Sequence, residues 1–188
     1  MVTVIGRPAH LHIRPAAENH PVDHDAFAGT ERMAGRSPTV RAADLGDREI
    51  VRQLLEFNAY EFSRFDGADL DGNGRFGYAY LDLYWTEPGR RPYLILVGAS
   101  IAGMALVREG LPHSVAEFLI MPKYRRAGVG TTAARDLLSR HPGRWELHQV
   151  PGNERALAFW RHAIPCQFTE HQDEHGITQT FTLGIHQP

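Results

Sequence analysis

Three apolar runs of strand length, Tyr93–Val97, Ile101–Val107 and Ser114–Met121, follow one another with short breaks, and then the pattern changes. Gly98-Ala99-Ser100 separates the first two and is compatible with a tight turn, so the pair reads as a β-hairpin. The third run follows the turn Gly110-Leu111-Pro112-His113. After it come a loop, a helical pattern over Gly128–Ser139, a strand over Trp145–Val150 and a helix over Glu154–His162. Strands around Gln167–His171 and Thr178–Leu183 finish the chain. An antiparallel start that passes into β-α-β-α specifies an α/β fold of the mixed α+β kind, with a mostly antiparallel twisted sheet and helices on both faces.

Upstream, Thr39–Ala42 reads as a short strand. Ile50, Val51, Leu54, Leu55, Asn58, Phe62 and Phe65 recur at helical spacing over Asp47–Phe65. Asp44 or Asp47 supplies the cap, because an aspartate accepts from the free amides of a first turn. Tyr78–Tyr84 reads as a short helix or an irregular segment. Residues 38–185 are expected to form one domain without internal repeats. Residues 1–37 mix Pro, His, Gly and charge without periodicity and read as a disordered extension, or as sequence upstream of a start at Met33.

Composition narrows the function. A net charge of -2 argues against nucleic acid or an anionic membrane as partner. Leu94–Val107 is too short to span a bilayer and is broken by Gly98 and Gly103, so a soluble, cytoplasmic chain is expected. Cys166 is the single cysteine and reads as a packed, inert thiol. The 11 histidines are scattered with no H-E-x-x-H pair, and no metal site is expected. Asp69, Asp71, Asn73 and Gly74 match the opening of a calcium loop, but its twelfth position is Tyr80 where a bidentate Glu is required, so the segment reads as a polar turn.

The chemistry concentrates in Ile120-Met121-Pro122-Lys123-Tyr124-Arg125-Arg126-Ala127-Gly128-Val129-Gly130-Thr131, where a strand runs through a glycine loop into a helix. The first amides of a helix lack intrahelical acceptors, and the macrodipole makes that end positive. Gly128 and Gly130 let an anion approach the backbone, and Lys123, Arg125 and Arg126 add positive charge. A phosphate or pyrophosphate is therefore expected here. G-x-G-x-x-G and G-x-x-x-x-G-K-[ST] are both absent, which removes the dinucleotide and ATP-type loops.

What remains resembles the R-x-x-G-x-G/A signature of the GNAT-type N-acetyltransferase superfamily. Asn153-Glu154-Arg155-Ala156-Leu157-Ala158-Phe159-Trp160 resembles the N-x-x-A-x-x-F-Y helix of the same family, in the right order. The resemblance implies a sheet splayed at the cofactor cleft and acetyl-coenzyme A as co-substrate. Phe118, Leu119 and Ile120 would pair through their backbone with the pantetheine arm. Arg125, Arg126, Ala127, Gly128, Val129, Gly130 and Thr131 would form the pyrophosphate loop, and Asn153 would touch the arm from the far side.

The implied reaction moves an acetyl group to a primary amine by direct attack in a ternary complex. Glu117 is the candidate base, at a position where many relatives carry Glu, and partial burial would make it more basic. Glu146 is its substitute, acting through water. Trp160 stands where relatives often place a tyrosine to protonate the thiolate, and an indole N–H is no acid in this pH range. Phe57–Tyr84 would shape the acceptor site, with Glu61, Asp66, Asp69 and Asp71 attracting a cationic amine and Tyr60, Phe62, Tyr80 and Trp85 lining its path. A small amine is favoured over a peptide amine, and strands 167–183 are compatible with a homodimer. Two rival readings are a coenzyme A-binding sensor without turnover and an interaction module in which the glycine turn is merely structural.

Overall fold

The computed structural model describes residues 2–3 and 37–184. Strands β1 (Val2–Thr3), β2 (Thr39–Ala42), β3 (Arg90–Val97), β4 (Ser100–Arg108) and β5 (Ser114–Ile120) form a five-stranded sheet ordered β1-β5-β4-β3-β2. Strands β6 (Gly143–Gln149), β7 (Thr169–Asp173) and β8 (Gly176–Leu183) form a second sheet ordered β6-β8-β7. Helices α1 (Arg48–Asp66) and α2 (Leu83–Thr86) precede β3; α3 (Val129–Ser139) and α4 (Glu154–Ala163) flank β6. All ladders are antiparallel.

The expected mixed α/β architecture is present, with one refinement. The sheet is divided in two, and the halves meet at a parallel bridge between His113 and Trp145. There His113 N–H donates to the Arg144 carbonyl at 2.8 Å and Glu146 N–H to the His113 carbonyl at 2.9 Å. Beyond that point β5 and β6 form no ladder with each other, and a gap opens between them toward the C-terminal end of β5.

Strand alternation gives each face of the first sheet its own core. Leu94, Met104, Leu106 and Leu119 pack under Val51, Leu54 and Leu55 of α1 and Tyr84 of α2. Ile95, Ala105, Val107, Phe118 and Ile120 pack under Val129, Ala133 and Leu137 of α3 and Ala156 and Trp160 of α4. Helices therefore cover both faces, as the sequence pattern requires.

Local differences have simple causes. Asp44 caps a 3-10 turn over Leu45–Asp47 and Asp47 reciprocates, so α1 starts one residue later than its periodicity suggests. Residue 78 is irregular, residues 79–82 are turns, and α2 begins only at Leu83. The two late strands pair with each other inside the chain. Asp71 Oδ1 accepts from the amides of Asn73 and Arg75, which closes the calcium-like segment as a turn. Cys166 is half-buried, with Sγ 3.8 Å from the Thr182 carbonyl. The reading of residues 1–37 falls mostly outside the described residues; β1 (Val2 and Thr3) is described and pairs with β5 opposite Phe118 and Glu117.

Candidate active site

At the open end of the gap, β5 delivers the chain through a 3-10 turn over Pro122–Tyr124 to the start of α3. Gly128 is the N-cap of that helix at φ 77°, and no side chain caps the first amides. A left-handed backbone suits only glycine without cost, so this residue is required by geometry. Arg126 also takes a positive φ of 62°. For a non-glycine residue that is uncommon and strained, a condition that concentrates where a loop is shaped for a ligand. A Cβ at Gly130 would lie 3.2 Å from Phe159 Cε2 and 3.3 Å from Ile120 Cγ1, so the missing side chain lets α3 close on β5 and α4.

These elements border a cavity of about 260 Å³, lined by Phe118, Ile120, Arg125, Arg126, Gly128, Gly130, Thr131, Arg155 and Phe159. Its floor is aromatic: Phe118 and Phe159 stack at 5.4 Å. Its rim is cationic and ends on the uncapped helix amides, an arrangement suited to an anion attached to an apolar arm.

Each residue expected here has a distinct role. Phe118 and Ile120 turn their side chains to the cavity, whereas Leu119 and Val129 bury theirs in the core and offer only backbone. Ala127 and Gly128 are exposed and Thr131 is on the wall. Arg125 borders the cavity but is held elsewhere: Nε donates to the Ile120 carbonyl at 2.6 Å, and the guanidinium is ion-paired with Glu61 of α1. Asn153 is buried and caps α4 through Oδ1, which accepts from Ala156 N–H. Its Nδ2 is buried with no partner among the described residues, a donor left for an acceptor across the gap.

Glu117 lies on the other face of β5, opposite Leu106 and beneath α1. It is 5% exposed, and Asn58 Nδ2 donates to its Oε2 at 2.6 Å. A charge-assisted bond of this kind favours the carboxylate. Tyr78 and Tyr84 stand close enough to feel its charge: burial, with Glu117 next, raises the Tyr78 hydroxyl far above the ordinary tyrosine range. Tyr78 is placed by Glu56 of α1, whose carboxylate accepts from the amides of Phe76 and Gly77 at 2.8 and 2.9 Å.

Glu146 does not share this neighbourhood. It lies next to Trp145 at the joined base of β5 and β6. Glu117 is four residues beyond His113, so roughly 13 Å of strand rise separates the two levels. The acidic set of the acceptor segment is also largely engaged. Glu61 pairs with Arg125, Asp66 accepts from Ala68 N–H, and Asp71 closes its turn. The edge of β5 at Glu117 and Phe118 carries β1.

The profile described as the acetyltransferase (GNAT) family matches residues 55–163, more than half of the chain. The chain belongs to the GNAT family. No curated protein matches the sequence. Among solved structures, an acetyltransferase from Thermus thermophilus superposes with a TM-score of 0.62 at 15% identity, covering 78% of this chain and 97% of that one. An aminoglycoside acetyltransferase in complex with coenzyme A gives 0.56 at 16% identity, covering 78% and 95%. Spermidine N-acetyltransferase from Vibrio cholerae in complex with coenzyme A and spermine gives 0.53 at 15%, covering 78% and 95%. At these identities the likeness establishes the shared fold.

Within this GNAT domain, sequence reasoning misses three participants. Arg155, in the first turn of α4, borders the cavity, and its only sequence signal is its place two residues after the helix cap. Asn58 reads in the sequence as part of the apolar stripe of α1. Glu56 carries no signal, because its two amide partners lie about 20 residues downstream.

Proposed function

We propose that the protein transfers an acetyl group from acetyl-coenzyme A to a primary amine on a small molecule. The observation that carries this reading is the uncapped start of α3 behind left-handed Gly128, opening on a cavity rimmed by Arg126 and Arg155. The pyrophosphate would rest on the amides of residues 126–131. The pantetheine arm would lie over Phe118 and Phe159, along the backbone of Phe118–Ile120, with the Asn153 Nδ2 donor opposite.

Glu117 takes the proton of the incoming ammonium, and Asn58 orients its carboxylate through the bond to Oε2. The free amine attacks the thioester carbon, the carbonyl oxygen gains charge next to β5 amides, the attacking nitrogen gives up its second proton to water, and collapse breaks the C–S bond to leave the neutral amide and the thiolate. Trp160 cannot protonate the departing sulfur; it is fully buried and packs edge-on against Phe118 at 5.4 Å. Tyr78 is no better as an acid, since its hydroxyl holds its proton more tightly than a free tyrosine. The thiolate therefore leaves unprotonated, which the modest basicity of a thiolate permits.

β1 occupies the edge that the pantetheine would use at Glu117 and Phe118, so the arm must displace it. Titration of acetyl-coenzyme A into wild type and into an Arg126→Glu, Arg155→Glu variant tests the reading. Both positions are exposed, so charge reversal leaves the core intact. Binding to wild type that is lost in the folded variant supports it; no binding to wild type leaves the interaction-module reading.

A further inference from the structure

The antiparallel register of β3 and β4 sets Arg90 directly opposite Arg108. Like charges facing each other across a strand pair are unfavourable, so the pair calls for an anion. Arg90 has one, Glu87, at 2.7 Å. Among the described residues Arg108 has no carboxylate partner, and its charge acts on the Tyr84 and Tyr78 hydroxyls instead. Arg90 Nη1 and Arg108 Nε are both buried without a hydrogen-bond partner among the described residues, and a buried guanidinium N–H left unsatisfied is costly. Aromatic rings shield both cations from water. Arg90 lies 5.6 Å from the Tyr80 centroid and 5.5 Å from that of Tyr84, and Arg108 lies 5.9 Å from Tyr80.

This cluster shares the Glu117 face of β4 and β5. Glu117 faces Leu106, and Arg108 is two residues further along the same strand. Two residues of strand span roughly 7 Å. Glu117 and Arg108 are thus diagonal neighbours on adjacent strands, about 7–8 Å apart at the backbone, close enough for both side chains to converge on one small molecule.

Resting on the acetyltransferase reading, we propose that the acceptor is a small zwitterion, an amine that also bears a carboxylate, with Arg108 receiving the carboxylate and Arg90 supporting it while Glu117 receives the amine. With Glu87 neutralising Arg90, Arg108 is the cation of this cluster that has no carboxylate partner among the described residues. A second ammonium in place of the carboxylate would meet Arg108 and be repelled, so the cluster selects against polyamines.

The test is thiol release with matched acceptors: 3-aminopropanoate, 3-aminopropanamide and 1,3-diaminopropane, with glycine and glycinamide as a shorter pair. The wild type is expected to favour the carboxylate member by about tenfold or more in kcat/KM. Arg108→Gln should erase that preference by raising KM for the carboxylate member, Arg90→Gln should weaken it, and Arg108→Lys should restore part of it. The Kd for acetyl-coenzyme A should stay within about twofold throughout. Equal or better turnover of the amide or the diamine, a preference that survives Arg108→Gln, or coenzyme binding with no turnover of any member overturns the proposal. Absence of acetyl-coenzyme A binding to wild type is a different outcome, which removes the acetyltransferase reading itself.

Discussion

Replacing Asn58 by leucine removes the amide that donates to Glu117 at 2.6 Å while keeping the side-chain volume nearly constant. Both residues are buried, at 2% and 5% exposure, so water replaces the lost bond poorly. A hydrogen bond to a charged group contributes about 1.5–3 kcal/mol, and it acts only on the carboxylate form. Its loss disfavours ionisation of the base, so the acid limb of the kcat/KM profile moves to higher pH. On that limb the rate should fall about 10- to 100-fold, one factor of ten for each 1.4 kcal/mol, and recover as pH rises. The assay is thiol release across the pH range, with the melting temperature and the acetyl-coenzyme A affinity measured in parallel. A uniform fall at every pH, or an unmoved acid limb, refutes the positioning role and leaves Asn58 as a packing residue.

Other perturbations probe other parts of the account. A methyl group at Gly103 would sit 2.0 Å from the Leu119 carbonyl oxygen, so Gly103→Ala forces β4 and β5 apart; chemical denaturation should show a loss of about 3 kcal/mol. His141 is pulled below the ordinary histidine pKa by burial, against the opposing pull of Glu109. A depressed folded-state pKa gives stability that is present above the unfolded value and lost as pH falls through the folded one. Denaturation curves should therefore weaken below about pH 6.5, and His141→Gln should flatten that slope. Deleting residues 1–37 removes β1 and its two ladder positions opposite Phe118 and Glu117; at about 1 kcal/mol each, acetyl-coenzyme A should bind roughly 10- to 30-fold more tightly. An unchanged or weaker affinity would count against competition for that edge.

The parts of the fold legible in the sequence are those with a local cause. The continuous apolar runs of β3, β4 and β5, the apolar stripe of α1 and the glycine start of α3 each follow from neighbouring residues. Gly128 is equally visible, because its left-handed backbone depends on that position alone. What stays hidden depends on distant pairing. Asn58 meets Glu117 across 59 positions and Arg125 meets Glu61 across 64. Neither contact has a periodic signature, and Arg125 reads as a phosphate ligand as long as its partner on α1 is out of view. Glu146 reads as a second base because it shares the gap-facing strands, and only the bridge at His113 shows that it lies near the closed end. The arginine pair depends on the hairpin register, which a one-residue slip would undo.

The most direct test of the central claim is calorimetric titration of acetyl-coenzyme A into the wild type and the Arg126→Glu, Arg155→Glu variant. The account predicts saturable binding to the wild type and a loss of at least about tenfold in affinity in a variant that still melts cooperatively. Equal affinity in the two proteins would contradict the placement of the pyrophosphate at the start of α3, and no binding to either would contradict the proposed activity.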